Sequence, residues 1–283
     1  MDSARAAVRE RDERVARSVG RTARLRLWFE QRGGKTILAD AYAEPPFCVR
    51  RSFDRAGAAH VIIVCSGPGV FGGDVLSHHV HVGAGARVVL TSQSSLQVHP
   101  DANGLPAFVN HRYTVADDGD LQCEWHATIP FAGSRLRQTF DVQAAESARL
   151  WWSEAAMSGR AGRGERWQFR ELAHELRVMI DRSLQYLERY RIAPAERHPA
   201  VKWVAGDADY FGTCLLRHPS ADRELAEAMH LAMLRIPDVR AAADLVAPRL
   251  IAVRCMSARG VPFSAARAAC RAAVPGALDP RSV

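Results

Sequence analysis

The chain has 283 residues, 48% hydrophobic and 24% charged, an ordinary globular composition that excludes wholesale disorder and needs no disulfide or metal staple to build a core. Its 38 Lys plus Arg against 31 Asp plus Glu leave a formal charge of +7, carried almost wholly by arginine, since Lys35 and Lys202 are the only lysines. That excess is too modest to identify a nucleic-acid partner, and no apolar run reaches the length of a membrane span.

Residues 1–20 are Arg-rich and read as an appendage. Val8, Asp12, Val15 and Val19 follow helical spacing between Ser3 and Gly20, but the apolar stripe is thin, as in a surface helix or a mobile tail, with a partner-binding helix as the alternative. The segment has no apolar core of the kind a secretory leader carries, so a cytoplasmic chain with reduced thiols is expected. The six cysteines are scattered and none forms a C-x-x-C pair. One domain is expected over residues 21–283.

From residue 24 the pattern turns to short strands. Leu25, Leu27 and Phe29 alternate with polar residues, Gly33-Gly34 signals a turn, and a second strand over 36–43 stops at Pro45-Pro46. Further strands are read at 47–53, 60–65, 75–82, 88–91, 107–115, 121–130, 136–142, 148–153, 167–178 and 184–192. In the last quarter, 222–234 carries Leu225, Met229, Ala232 and Met233 on one helical face. The alanine-rich piece between Pro237 and Pro248 reads as another short helix, 250–256 as a strand, and Ser264 as the N-cap of a final helix over 265–274. The fold class is therefore mainly β, a sandwich or solenoid-like stack, with two or three α-helices late in the chain. No fixed-period repeat is visible, so an ordinary repeat solenoid is not expected.

Four features carry candidate chemistry. Gly67, Gly69, Gly72 and Gly73 punctuate a loop that ends at Asp74; its spacing matches no nucleotide-binding loop and reads as a tight turn that holds the carboxylate in place. His79 and His81 share one face of a strand, with Val80 and Val82 on the other, and are weak candidates for zinc or nickel because no further ligand is identifiable. Glu154, Glu165 and Glu188 lie beside apolar or Arg-rich segments, where a part-buried acid is either paired or functional. Arg160, Arg163, Arg166 and Arg189 are the candidate partners. Gly159-Arg160 and Gly164-Glu165 bracket what reads as a β-turn. The other histidines, His99, His111, His126 and His174 among them, are isolated in sequence, and each reads as a surface or satisfied-core histidine by default.

In their order along the chain these segments resemble the UreD (UreH) family of urease accessory proteins. The resemblance runs from Gly33-Gly34-Lys35-Thr36 through Val49-Arg50-Arg51-Ser52-Phe53, the Gly67–Asp74 loop and Gly83-Ala84-Gly85-Ala86. It continues through Ile129-Pro130-Phe131-Ala132-Gly133-Ser134-Arg135, Trp152-Ser153-Glu154, Gly159-Arg160, Gly164-Glu165 and Leu187-Glu188-Arg189. It implies a right-handed helical stack of β-strands with two helices, and a maturation scaffold instead of an enzyme. The implied partners are the urease structural subunits and UreF-type and UreG-type accessory proteins, with GTP used by a partner, no tightly bound cofactor, nickel in transit, no nucleic acid and no membrane. Matched residue by residue, the family's acidic conduit positions fall on Asp74, Glu154 and Glu188, whose oxygens favour passage over capture. The 92–101 stretch departs from the family pattern: Leu96-Gln97-Val98-His99-Pro100 lacks its basic residues. Two rival readings predict different behaviour. A metal-dependent enzyme built on the His79/His81 face would bind metal tightly and turn over alone, and a nucleic-acid binder would show salt-sensitive affinity.

Overall fold

A computed structural model describes residues 20–49, 51–201 and 204–274. The proposed helix within residues 1–20 lies outside the described residues, apart from Gly20. The strands are β1 Thr22–Arg32, β2 Lys35–Ala43, β3 Phe47–Cys48, β4 Phe53–Arg55, β5 Ala58–Cys65, β6 Val75–Val82, β7 Arg87–Ser92, β8 Leu96–Val98 and β9 Ala107–Val115. They continue as β10 Asp120–Glu124, β11 Thr128–Pro130, β12 Arg135–Ala144, β13 Arg149–Met157, β14 Glu171–Ile180, β15 Ser183–Ile192, β16 Tyr210–Arg217, β17 Val239–Ala247 and β18 Leu250–Ser257. Helices α1 (Arg223–Leu234) and α2 (Gly260–Ala272) are the α-helices among the described residues.

The chain alternates between two sheets. One has the order β15-β14-β12-β9-β6-β1-β2, and the main path of the other runs β17-β18-β16-β13-β10-β7-β5-β3. In the first sheet β1, β6, β9, β12 and β14 are parallel neighbours; in the second β5, β7, β10 and β13 are. Each parallel neighbour is reached by an excursion through the opposite sheet, which makes a β-solenoid of about four turns. Antiparallel β2 and β15 close the ends of the first sheet, and β16, β18 and β17 extend the second.

The core lies between the sheets. In β1 every second residue is buried, placing Ala23, Leu25, Leu27 and Phe29 inside and Arg24 and Arg26 outside. Parallel register lines up the inward positions of successive coils into rungs. Leu27, Val80, Tyr113 and Val142 form one, and Leu25, His78, His111 and Phe140 form the next. β13 is buried along almost its whole length because both of its faces are covered. Trp152 packs into the solenoid interior, whereas Trp151 faces the layer formed with α1 and α2.

Several sequence expectations are corrected. The alanine-rich piece between Pro237 and Pro248 is not helical but strand β17, whose residues alternate half-buried and exposed. Its period of two and its pairing with β18 outweigh the helix preference of alanine. Helix α2 starts at Gly260 after Arg259, four residues before Ser264, with Pro262 accommodated in the first turn. The expected strand 47–53 is split into β3 and β4, and 121–130 into β10 and β11, while β14 begins at Glu171 instead of 167. The helix over 222–234 is confirmed: the Asp222 side chain accepts the Leu225 N–H at 2.8 Å, capping α1.

Candidate functional site

The interior is not uniformly apolar. Strand alternation turns Glu154 to the same inner face as Trp152, and it is only 8% exposed. Its partner is an imidazole and not an arginine: His174 Nε2 on β14 lies 2.9 Å from Glu154 Oε1. Burial opposes protonation of His174, but the charge and hydrogen bond of Glu154, with Glu188 and Glu175 behind them, outweigh it and raise its pKa above the usual 6.5. Glu188 of β15 sits in the same interior. Its Oε2 accepts from Tyr186 Oη at 2.9 Å and Thr213 Oγ1 at 2.8 Å, and Arg254 Nε stands 3.5 Å from its Oε1.

Two cavities meet at Glu154. The smaller, about 120 Å³, is lined by Cys65, Gly67, Gly69, His78, His111 and Trp125; the larger, about 540 Å³, is lined by His174, Glu188, Tyr190, Thr213 and Arg254. Glu154, Gln138 and Ala155 line both. Glu154 therefore stands where the two volumes adjoin, with the Gly67–Gly69 turn on the smaller one and Glu188 on the larger.

Asp74 lies outside both linings. It is 2% exposed and clamped: its oxygens accept the Arg21 backbone N–H at 2.7 Å, Arg21 Nη2 at 2.7 Å and the Phe71 N–H at 3.0 Å. Burial pushes its pKa up, but the hydrogen bonds from Arg21 and Phe71 win and hold it below the ordinary carboxylate value. Arg21 Nη2 also donates to the Gly69 carbonyl at 2.8 Å, so one carboxylate fixes the glycine loop against the start of β1. Gly69 has φ +130°, and a Cβ there would sit 2.2 Å from the Gln97 carbonyl oxygen.

The second glycine motif forms a separate knot. Arg160 Nε donates to Glu165 Oε2 at 2.7 Å, the same oxygen accepts the Ala132 N–H, and the guanidinium lies 3.9 Å from the Phe131 ring centroid. Gly159, at φ +131°, lets this turn approach the Glu165 carbonyl, while Gly164 adopts the left-handed conformation that closes it. Of the other expected partners, Arg166 pairs with Asp209 and Arg189 with Glu175.

His79 and His81 share the outer face of β6, opposite the buried Val80 and Val82. His81 stacks on Trp28 at 3.7 Å between ring centroids. Among the described residues, no three His, Cys, Asp or Glu side chains converge so as to hold one metal ion. All six cysteines are free thiols. Sequence leaves His111 and His174 as surface or satisfied-core histidines and does not place His78; all three lie inside the solenoid. His78 and His111 are 6% and 7% exposed and stack at 4.0 Å, and burial keeps both neutral, His78 with a pKa of about 3. One signal was available: His78 occupies the inward position of the same alternation that turns His79 out.

Fold and interior define a class, a mainly β solenoid protein with buried acids and imidazoles around two adjoining cavities. The family model described as the UreD urease accessory protein matches residues 21–281, and the chain belongs to that family. It is 34% identical over 211 residues to the urease accessory protein UreD of Deinococcus radiodurans, covering 74% of this chain and 76% of that protein. It is 34% identical over 232 residues to the urease accessory protein UreD of Sorangium cellulosum, covering 82% and 72% respectively. The urease accessory protein UreH of Helicobacter hepaticus is 26% identical over 163 residues, covering 58% of this chain and 64% of that one. Membership implies a role in urease maturation, as an accessory protein. Among the described residues no helix is long and apolar enough to cross a membrane.

Proposed function

We propose that this protein is a non-catalytic, cytoplasmic scaffold for nickel insertion into urease. It binds the urease apoprotein and a UreF-type partner, which brings a UreG-type GTPase, and the GTP is used by that partner. Nickel is cargo. The observation that carries the reading, beside family membership, is the buried carboxylate of Glu154 where two cavities adjoin, with Glu188 in the larger one. Hydrated Ni²⁺ leaving one cavity for the other meets a carboxylate oxygen, a weak hard donor that lowers the cost of desolvation without trapping the ion. Asp74 acts beside the smaller cavity by holding the Gly67–Gly69 wall in place. The outer His79/His81 face, with His81 packed on Trp28, is not needed for this path.

The test is co-expression of tagged protein with the urease subunits and the other accessory proteins, with and without this chain. The reading predicts co-purification with urease apoprotein and nickel-dependent urease activity that requires the chain. Equal activity without it, or a stable solitary protein that binds none of these partners, overturns the reading.

A further inference from the structure

We propose that His78 and His111 form a nitrogen-donor station for divalent nickel inside the smaller cavity. The inference rests on the proposed passage of nickel through the solenoid and adds a site to it. The two residues are direct neighbours in the parallel register of β6 and β9, and both line the cavity. The register sets their rings 4.0 Å apart with planes 28° from parallel, so their ring edges project side by side. Phe47 packs T-shaped against His78 with ring centroids 4.5 Å apart, and Phe140 stacks on His111 at 4.3 Å between centroids. Such packing fixes where the two rings stand; because each lone pair lies in its own ring plane, ligation of one ion by both rings turns them towards each other.

Their nitrogens are unequally used. His111 Nδ1 lies 2.9 Å from Tyr113 Oη, which orients the ring; in the tautomer whose Nδ1–H donates to that oxygen, Nε2 is the nitrogen left for a ligand. His78 Nδ1 is buried and has no hydrogen-bond partner, in a side chain more than nine-tenths buried. A buried polar atom left unpaired is costly, and here it belongs to a residue on the wall of a cavity. An apolar residue in the same rung, as at Leu25 or Phe140, would avoid that cost.

The chemistry selects the ion class. Carboxylate oxygens alone favour Mg²⁺ and Ca²⁺ as readily as nickel, whereas imidazole nitrogen suits Ni²⁺ and is a poor ligand for the two hard cations. Two nitrogens completed by water hold Ni²⁺ less firmly than a full side-chain cage, so the ion can move on. Glu154 lines the same cavity but does not join the two histidines in a three-ligand centre, which makes the arrangement a hand-over between stations.

The full-length protein is loaded with one equivalent of Ni²⁺, and the nickel environment is read by X-ray absorption. The expected spectrum contains imidazole ring scattering. It is lost in His78→Phe/His111→Phe, which preserves ring stacking, and retained in His79→Phe/His81→Phe. His78→Asn alone, which keeps a small polar group, should also reduce it, and unchanged near-ultraviolet circular dichroism certifies the fold of each variant. An oxygen-only nickel spectrum in the unmodified protein, or imidazole scattering that survives in both His78 variants, overturns the proposal. Urease activation by Glu154→Gln separates the two ideas. Normal activation with intact imidazole scattering removes the conduit and leaves the station, while blocked activation with no imidazole scattering removes the station and leaves the conduit.

Discussion

Replacing Asp74 by Asn tests whether one carboxylate fixes the glycine loop. The native oxygens accept four N–H contacts: the Arg21 backbone, Arg21 Nε and Nη2, and the Phe71 backbone. An asparagine keeps one acceptor and turns an NH₂ group towards donors on the other side. It loses the charge assistance of the Arg21 pair and leaves at least one buried donor unpaired. A hydrogen bond to a charged group contributes about 1.5–3 kcal/mol, and the 39% exposure of Arg21 places its pair at the low end. The summed loss is about 2–4 kcal/mol. It is read as the difference in urea unfolding free energy, followed by tryptophan fluorescence at matched slope. The pH dependence has a fixed sign. The folded-state pKa of Asp74 is depressed, so its stabilisation is fully present above the unfolded carboxylate value and is lost as pH falls through the folded value. The gap between the two proteins stays constant from pH 7 to about 5 and narrows below about pH 4. A gap under about 0.5 kcal/mol at pH 7, or one that widens on acidification, refutes the clamp.

Three more outcomes follow from the same geometry. Gly69→Ala places a methyl 2.2 Å from the Gln97 carbonyl at a φ that disfavours side chains, so it should destabilise by roughly 2 kcal/mol or more in the same assay; a change within error contradicts the close approach. Trp152→Ala empties a site that is 0% exposed between Tyr113 and Phe140 and should cost about 3–5 kcal/mol, whereas exposed Trp28→Ala costs far less. Glu154→Gln removes the charge that raises the pKa of His174. That contribution is present below the unfolded histidine pKa and lost as pH rises through the folded one, so the melting-temperature deficit of the variant is larger at pH 6 than at pH 9; a constant or reversed deficit contradicts the pairing.

The parts of the fold that alternate cleanly were legible in the sequence. β1, β6 and β9 each write polar and apolar residues in turn, and the glycine loop before Asp74 announces its turn directly. β17 was not legible, because alanine is too small to show a period of two and carries a helix preference. The juxtaposition of His78 and His111 is not legible for a different reason. His78 and His111 are separated by a coil and an excursion through the opposite sheet, and unequal coil lengths hide the register that stacks them. Glu154 is legible as a part-buried acid beside an apolar segment, and the family resemblance adds its conduit role, but local sequence offers only nearby arginines as its partner. The solenoid instead delivers His174 from the opposite sheet, which no local spacing reveals.

The most direct test of the account is urease activation in a host lacking this chain, complemented with the unmodified protein or with Glu154→Gln/Glu188→Gln. Co-purification with urease apoprotein and nickel-dependent activity are measured on the same samples. The variant is expected to assemble normally, with nickel-dependent activity falling towards the level seen without the chain. Full activation by a variant that assembles normally would contradict the passage of nickel past Glu154 and Glu188.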